Sequence, residues 1–221
     1  MKQKIKVWDL PTRLFHWTLA AAVAFMWYSA KTGGGMLVWH LRCGLLILAL
    51  TVFRLCWGLW GSDTARFAQF VKGRTAIADY LSGRFSEDKQ PGHNPLGALM
   101  VLALLATVAF QTATGLFAAD ENTFTTSGWL NGWVGSETGS LMRRIHIRFF
   151  NLLAALAAIH IISILLYKFL RKTDLVKPMI TGFKYLGSEA VRPRFAGRIK
   201  LVAALFCAAA AAALVWVLSK S

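Results

Sequence analysis

Residues 141–168 read LMRRIHIRFFNLLAALAAIHIISILLYK, an apolar run carrying two histidines, His146 and His160, fourteen positions apart. At about 100° and 1.5 Å per residue, a helical step of that length returns to within about 40° of the same face and climbs about 21 Å. The two imidazoles therefore share a face at two depths. A run this long and apolar is a transmembrane candidate, and an ionisable side chain inside one is costly enough that function is the default reading. The spacing points to two stacked metal centres across a bilayer.

Composition agrees with the membrane part of this reading. Of 221 residues, 56% are hydrophobic and 16% charged, with nine tryptophans, and the mean hydropathy is +0.50. Soluble domains do not have this usage. A formal charge of +15 would suggest nucleic acid in a soluble chain. Here the basic residues fall between apolar runs instead of along one solvated face, so they set topology and no nucleic-acid partner is expected. Cys43, Cys56 and Cys207 sit inside apolar runs with no CxxC or CxxCH spacing, which gives neither a disulfide framework nor a covalent haem attachment.

Four further apolar runs accompany the histidine helix. The first spans about 14–30, after KVWDLPTR, and holds His16 about one turn in. Asp9, Arg13, His16 and the aromatic residues around them argue against a signal peptide. The turn KTGGG forces an antiparallel neighbour, a second run over 37–59 with His40, Arg42 and Arg54. Arg54 lies fourteen residues from His40 and so on nearly the same face. It either snorkels to the headgroups or pairs with an anionic cofactor group such as a haem propionate. Residues 60–95 are too charged to span; Phe67, Phe70, Val71, Ala78 and Leu81 recur at helical spacing and predict an amphipathic surface helix. His93, outside the apolar runs and just before Pro95, is a loop or capping residue. A third span over 96–117 lacks histidine, has Gln111 and Thr114 as its polar points, and packs as a partner. The fourth is the histidine helix, 143–168, and a fifth, about 199–218, is alanine-rich.

Lysine and arginine collect before the first span, between the second and third, and between the fourth and fifth. The loop over 118–140, with Asp120, Glu121, Glu137, Trp129 and Trp133, has none. Under the positive-inside rule the N-terminus is cytoplasmic and, after five spans, the C-terminus lies outside. Depth then pairs the histidines: His40 with His146 near the outer face, His16 with His160 toward the cytoplasm. Two imidazoles leave zinc short of ligands, with no nearby Cys, Asp or Glu to complete it. Haem iron already has four porphyrin nitrogens and needs only two axial ligands from facing helices. Two haems B account for all four histidines, and filled axial positions point to one-electron transfer. Packing residues remain the bland reading of any single membrane histidine; the matched depths of four weigh against it for the set. Phe15, Trp17, Trp39, Phe149 and Phe150 are by default lipid-facing or packing, and Arg13, Arg42, Arg143, Arg144 and Arg148 interface anchors.

The motifs VWDLPTRLFHW from Val7, RLCWGLWGSDTARFAQF from Arg54, GHNPLGAL from Gly92 and RRIHIRFFN from Arg143 resemble the bacterial cytochrome b561 family, which includes the b-type cytochrome subunits of nickel-iron hydrogenases. The resemblance covers roughly residues 5–190. It implies a four-helix di-haem core in the bacterial inner membrane, axial ligands at His16, His40, His146 and His160, and a quinone as one electron partner. The expected fold is thus an all-α integral membrane protein. Residues 1–190 form a di-haem cytochrome b domain and 191–221 a fifth, C-terminal transmembrane helix. The expected function is electron transfer between quinone and a periplasmic redox protein, a hydrogenase-like enzyme or a c-type cytochrome. A stand-alone oxidoreductase passing electrons from a small reductant such as superoxide to quinone is one alternative. A non-redox scaffold or transporter, with incidental histidines, is the other.

Overall fold

The computed structural model describes residues 2–86, 90–120 and 126–221; Glu121 of the acidic loop lies outside these. The described chain is mostly helical. In order it forms β1 (Lys2–Lys6), α1 (Leu10–Thr32), α2 (Met36–Trp60), α3 (Phe67–Phe70), α4 (Arg74–Leu81), α5 (Pro95–Phe117), α6 (Ser136–Phe169), α7 (Val176–Thr181), β2 (Phe183–Gly187) and α8 (Arg198–Leu218).

The helix boundaries follow from local chemistry. Asp9 precedes α1 and its Oδ1 accepts the Thr12 backbone N–H at 2.8 Å, satisfying one of the donors a helix start leaves open. Asn94 does the same for α5, accepting the Gly97 N–H at 2.7 Å, with Pro95 in the first helical position, where its missing N–H costs nothing. Gly33 and Gly34 take left-handed φ of 66° and 54° in the turn between α1 and α2, a conformation glycine adopts without strain.

Among the described residues, four helices are long and apolar enough to cross a membrane: α2, α5, α6 and α8. The last is the expected C-terminal span. Although α1 has 23 residues, His16, Thr18, Ser29 and its Trp and Tyr side chains dilute its hydropathy, and it is not among the four. Helix α6 has 34 residues, about 51 Å of helix, and starts seven residues before the expected boundary at 143. Ile147, Leu152, Ile159, Ile162 and Leu166 on it are 56%, 46%, 51%, 53% and 50% exposed. Exposed aliphatic side chains on several successive turns require lipid as their solvent, and the chain is a membrane protein.

Two features depart from the expected pattern. The amphipathic stretch after α2 forms two short helices, α3 and α4, because Gly73 interrupts it. A two-stranded antiparallel sheet joins β1 to β2; KQKIK is too short and too charged to announce a strand, and its partner lies nearly the whole chain away.

The chain folds as two compact units, and the five long helices contribute residues to both. The first comprises Met1–Phe15, Arg54–Leu104 and Leu156–Ala204; the second comprises His16–Phe53, Leu105–Ala155 and Leu205–Ser221. In the first, Ile5, Val7, Trp8, Leu186 and Ala190 form an apolar core with Met179 against it. Gly182, at φ 88°, turns its carbonyl to accept the Val7 and Trp8 N–H groups at 2.8 and 3.2 Å. In the second, Trp129 Nε1 donates to the Leu41 carbonyl at 3.0 Å and Trp133 Nε1 to the Leu218 carbonyl at 2.9 Å. These bonds tie the loop before α6 to α2 and α8.

Candidate functional site

The second unit brings two of the four singled-out histidines together. His40, on the second turn of α2, and His146, in α6, stand with ring centres 6.2 Å apart and planes crossed at 81°. Each is half-buried. His146 Nδ1 donates to the Gln111 carbonyl of α5 at 2.9 Å, with the Thr114 hydroxyl at 3.3 Å. His40 Nδ1 donates to the Met26 carbonyl of α1 at 3.2 Å, and to the Ser29 hydroxyl at 3.0 Å, which itself donates to Met26. Carbonyl acceptors fix the proton on Nδ1 of each ring. The lone pair is left on Nε2, the arrangement in which an imidazole ligates a metal while its other nitrogen is held by an outer partner.

Helix α5 shapes this site more than its apolar sequence announced. Gln111 Nε2 donates to the His146 backbone carbonyl at 2.9 Å, while its own carbonyl takes the imidazole N–H, so one residue grips both ends of His146. Gln111 Oε1 is buried without a hydrogen-bond partner. At Gly115 a Cβ would come within 2.8 Å of His146 Cε1, so only glycine lets the ring edge approach α5 this closely. These roles were missed in sequence, where Gln111 and Thr114 stood only as polar points on a packing helix. A polar amide inside a span was the available signal.

This donor set fits haem iron. Two imidazoles from facing helices, each held at Nδ1 by an outer partner, are the kind of residues that would hold a b-type haem, which would supply a one-electron couple there. Among the described residues no group of three or more His, Cys, Asp or Glu converges. Two imidazoles complete a metal only where a macrocycle supplies the other donors.

The remaining singled-out residues are placed as follows. His16, in the second unit, packs edge-on to Trp17 at 5.0 Å between centres. His160 belongs to the first unit. Arg54 is 4% exposed; its Nη1 donates to the Ala65 carbonyl at 3.1 Å, and its guanidinium lies 4.9 and 5.8 Å from the ring centres of Phe67 and Phe70. Asp9 is the acid whose charge acts on it, and Asp9 Oδ2 also accepts Trp57 Nε1 at 3.1 Å. His93 sits between Trp8 and Phe70, with ring centres 4.8 and 5.1 Å away; the capping in that loop is done by Asn94. Of the arginines, Arg42 lies 4.8 Å over the Trp39 ring and Arg13 Nη1 donates to the Ile180 carbonyl. Both geometries suit anchors at the membrane surface.

A membrane-embedded helical chain with a half-buried imidazole pair, each ring held by Nδ1 and open at Nε2, has the features of a b-type membrane cytochrome. The family model described as prokaryotic cytochrome b561 matches residues 7–182, and the chain belongs to that family. Membership assigns it transmembrane electron transfer by b-type haem. No curated protein and no solved structure matches the chain.

Proposed function

We propose that the chain carries electrons between a membrane quinone and a periplasmic redox protein, a hydrogenase-like enzyme or a c-type cytochrome. In this reading His40 and His146 are the axial ligands of one haem B, and His16 and His160 of a second. The observation that carries it is the His40–His146 pair, 6.2 Å between ring centres, with both Nδ1 protons committed to main-chain carbonyls. When bound, haem B supplies a one-electron iron couple whose six filled positions leave no opening for dioxygen.

The chain's own contribution is to hold these rings still. Met26 and Gln111 fix the tautomers, Gly115 fixes the depth of His146, and the apolar flanks of α2, α5 and α6 exclude water. The pairing of His16 with His160 rests on their sequence depths and on the family. For Arg54 we retain a propionate contact as a proposal: a guanidinium has five N–H donors, and the Ala65 carbonyl takes one. We further propose α1 as a fifth span, with Ser29 turned to the site, in a bacterial inner membrane with the N-terminus cytoplasmic and the C-terminus periplasmic. Residues 1–190 then form the cytochrome domain and 191–221 its added C-terminal helix.

A reduced-minus-oxidised optical spectrum of the full chain, purified as the cell makes it, tests the proposal. The expected result is b-type absorption with about two haems per chain. A folded preparation without b-haem absorption overturns it.

A further inference from the structure

The two-stranded sheet of the first unit has no part in the histidine site. Its register pairs Lys2 with Gly187, Lys4 with Tyr185 and Lys6 with Phe183, alternating with Gln3–Leu186 and Ile5–Lys184. Side chains alternate along a strand and directly opposed residues share a face. One face therefore holds Lys2, Lys4, Lys6, Phe183 and Tyr185. The other holds Ile5 and Leu186, 4% and 0% exposed, which join the core beside Val7 and Trp8. The lysine face looks outward, with Phe183 38% and Tyr185 59% exposed. Lys4 Nζ stands 4.8 Å from the Phe183 ring centre, so cation and ring are presented together.

We propose that this lysine–aromatic face lies on the bilayer surface and binds anionic phospholipid headgroups. The two strands, KQKIK and FKYLG, contain no carboxylate, so every charge the strands themselves bring to the face is positive. Lysine and aromatic side chains in one patch match both layers of an interface: rings sit at headgroup level, and lysine stems cover apolar surface while the ammonium reaches phosphate. An acidic soluble protein would answer the lysines but gives no reason for two open rings beside them. The sheet is also held near the membrane by its connections. Phe169, the last residue of span α6, lies fourteen positions before Phe183, and span α8 opens eleven positions after Gly187. Each lysine close to an anionic surface multiplies binding by about fivefold, an effect that fades within a Debye length.

The test is amide hydrogen exchange on the full chain in nanodiscs of phosphatidylcholine alone and with about 30% phosphatidylglycerol. Exchange of Lys2–Lys6 and Phe183–Gly187 should slow at least about threefold with the anionic lipid. The slowing should vanish in about 0.5 M salt and in Lys4→Gln/Lys6→Gln, and persist in Lys72→Gln/Arg74→Gln, which removes equal charge from an exposed stretch elsewhere in the unit. Equal exchange in the two lipids, slowing that survives the salt, or slowing that appears only when soluble protein is added overturns the proposal. The salt arm uses the unmodified chain and decides the matter even where the double variant loses its sheet.

Discussion

Gly115 is the residue at which the account is most exposed. A methyl group there meets His146 Cε1 at 2.8 Å, closer than non-bonded carbons approach, and α5 cannot yield without moving Gln111, which holds both the imidazole and the backbone of His146. Overpacking of this kind costs about 1–3 kcal/mol. Gly115→Ala is expected to lower bound haem or shift the midpoint potential of one of two haems, read by redox titration; an unaltered titration would refute the contact. Arg54 carries the second prediction. Its charge is buried with one main-chain acceptor, two aromatic rings and the Asp9 charge around it, so Arg54→Ala strands an acceptor and an acid in a dry environment. We expect a loss of about 3 kcal/mol, measured as a lowered thermal midpoint in detergent. Arg54→Lys should recover only part of it, because an ammonium lacks the planar, weakly hydrated guanidinium that stands against Phe67 and Phe70 while donating to Ala65. The histidines were legible in sequence because an ionisable group in an apolar run stands out by cost alone. Gln111 and Gly115 were not: their roles depend on which way α5 faces, and a helix with one amide and a few threonines among apolar residues carries little record of that.

Elements were legible in proportion to their length and apolar content. The run 37–59 matches α2, and 96–117 matches α5 almost to the residue. The early start of α6 was hidden because its first turns, SETGS, are polar and read as loop. The sheet was hidden because pairing at such separation leaves no local signal. Around it, the segment before α8 is held by Asp63, which accepts the Arg194 N–H at 2.9 Å and pairs with Arg66. The Arg194 N–H first, and Arg66 with it, keep the Asp63 carboxyl below the usual carboxylate range. A depressed folded value means that this stabilisation is complete above the unfolded pKa of about 3.9 and is lost as pH falls through the lower folded one. The thermal midpoint of Asp63→Asn should therefore lie below that of the unmodified chain at pH 7, with the gap closing below about pH 4. A gap that stays constant to pH 3 would assign the bond no electrostatic part.

At the scale of the molecule the open quantity is the number of spans. Among the described residues, helices α2, α5, α6 and α8 are long and apolar enough to cross; α1 joins them only if its His16 and Ser29 side chains face protein and cofactor instead of lipid. Parity separates the cases. Five spans put the two ends of the chain on opposite sides of the membrane, four on the same side. Alkaline phosphatase fused after Ser221 should be active and a fluorescent protein at the same point dark, while fusions at the N-terminal end give the reverse. Matching signals at both ends would remove α1 from the membrane and with it the proposed place of His16. The pair that α2 and α6 bring together is checked by the haem content of purified His146→Ala against the unmodified chain. A fall from about two haems B per chain to about one is expected, with the b-type spectrum of the remaining centre retained. Full haem occupancy in that variant would contradict the pairing.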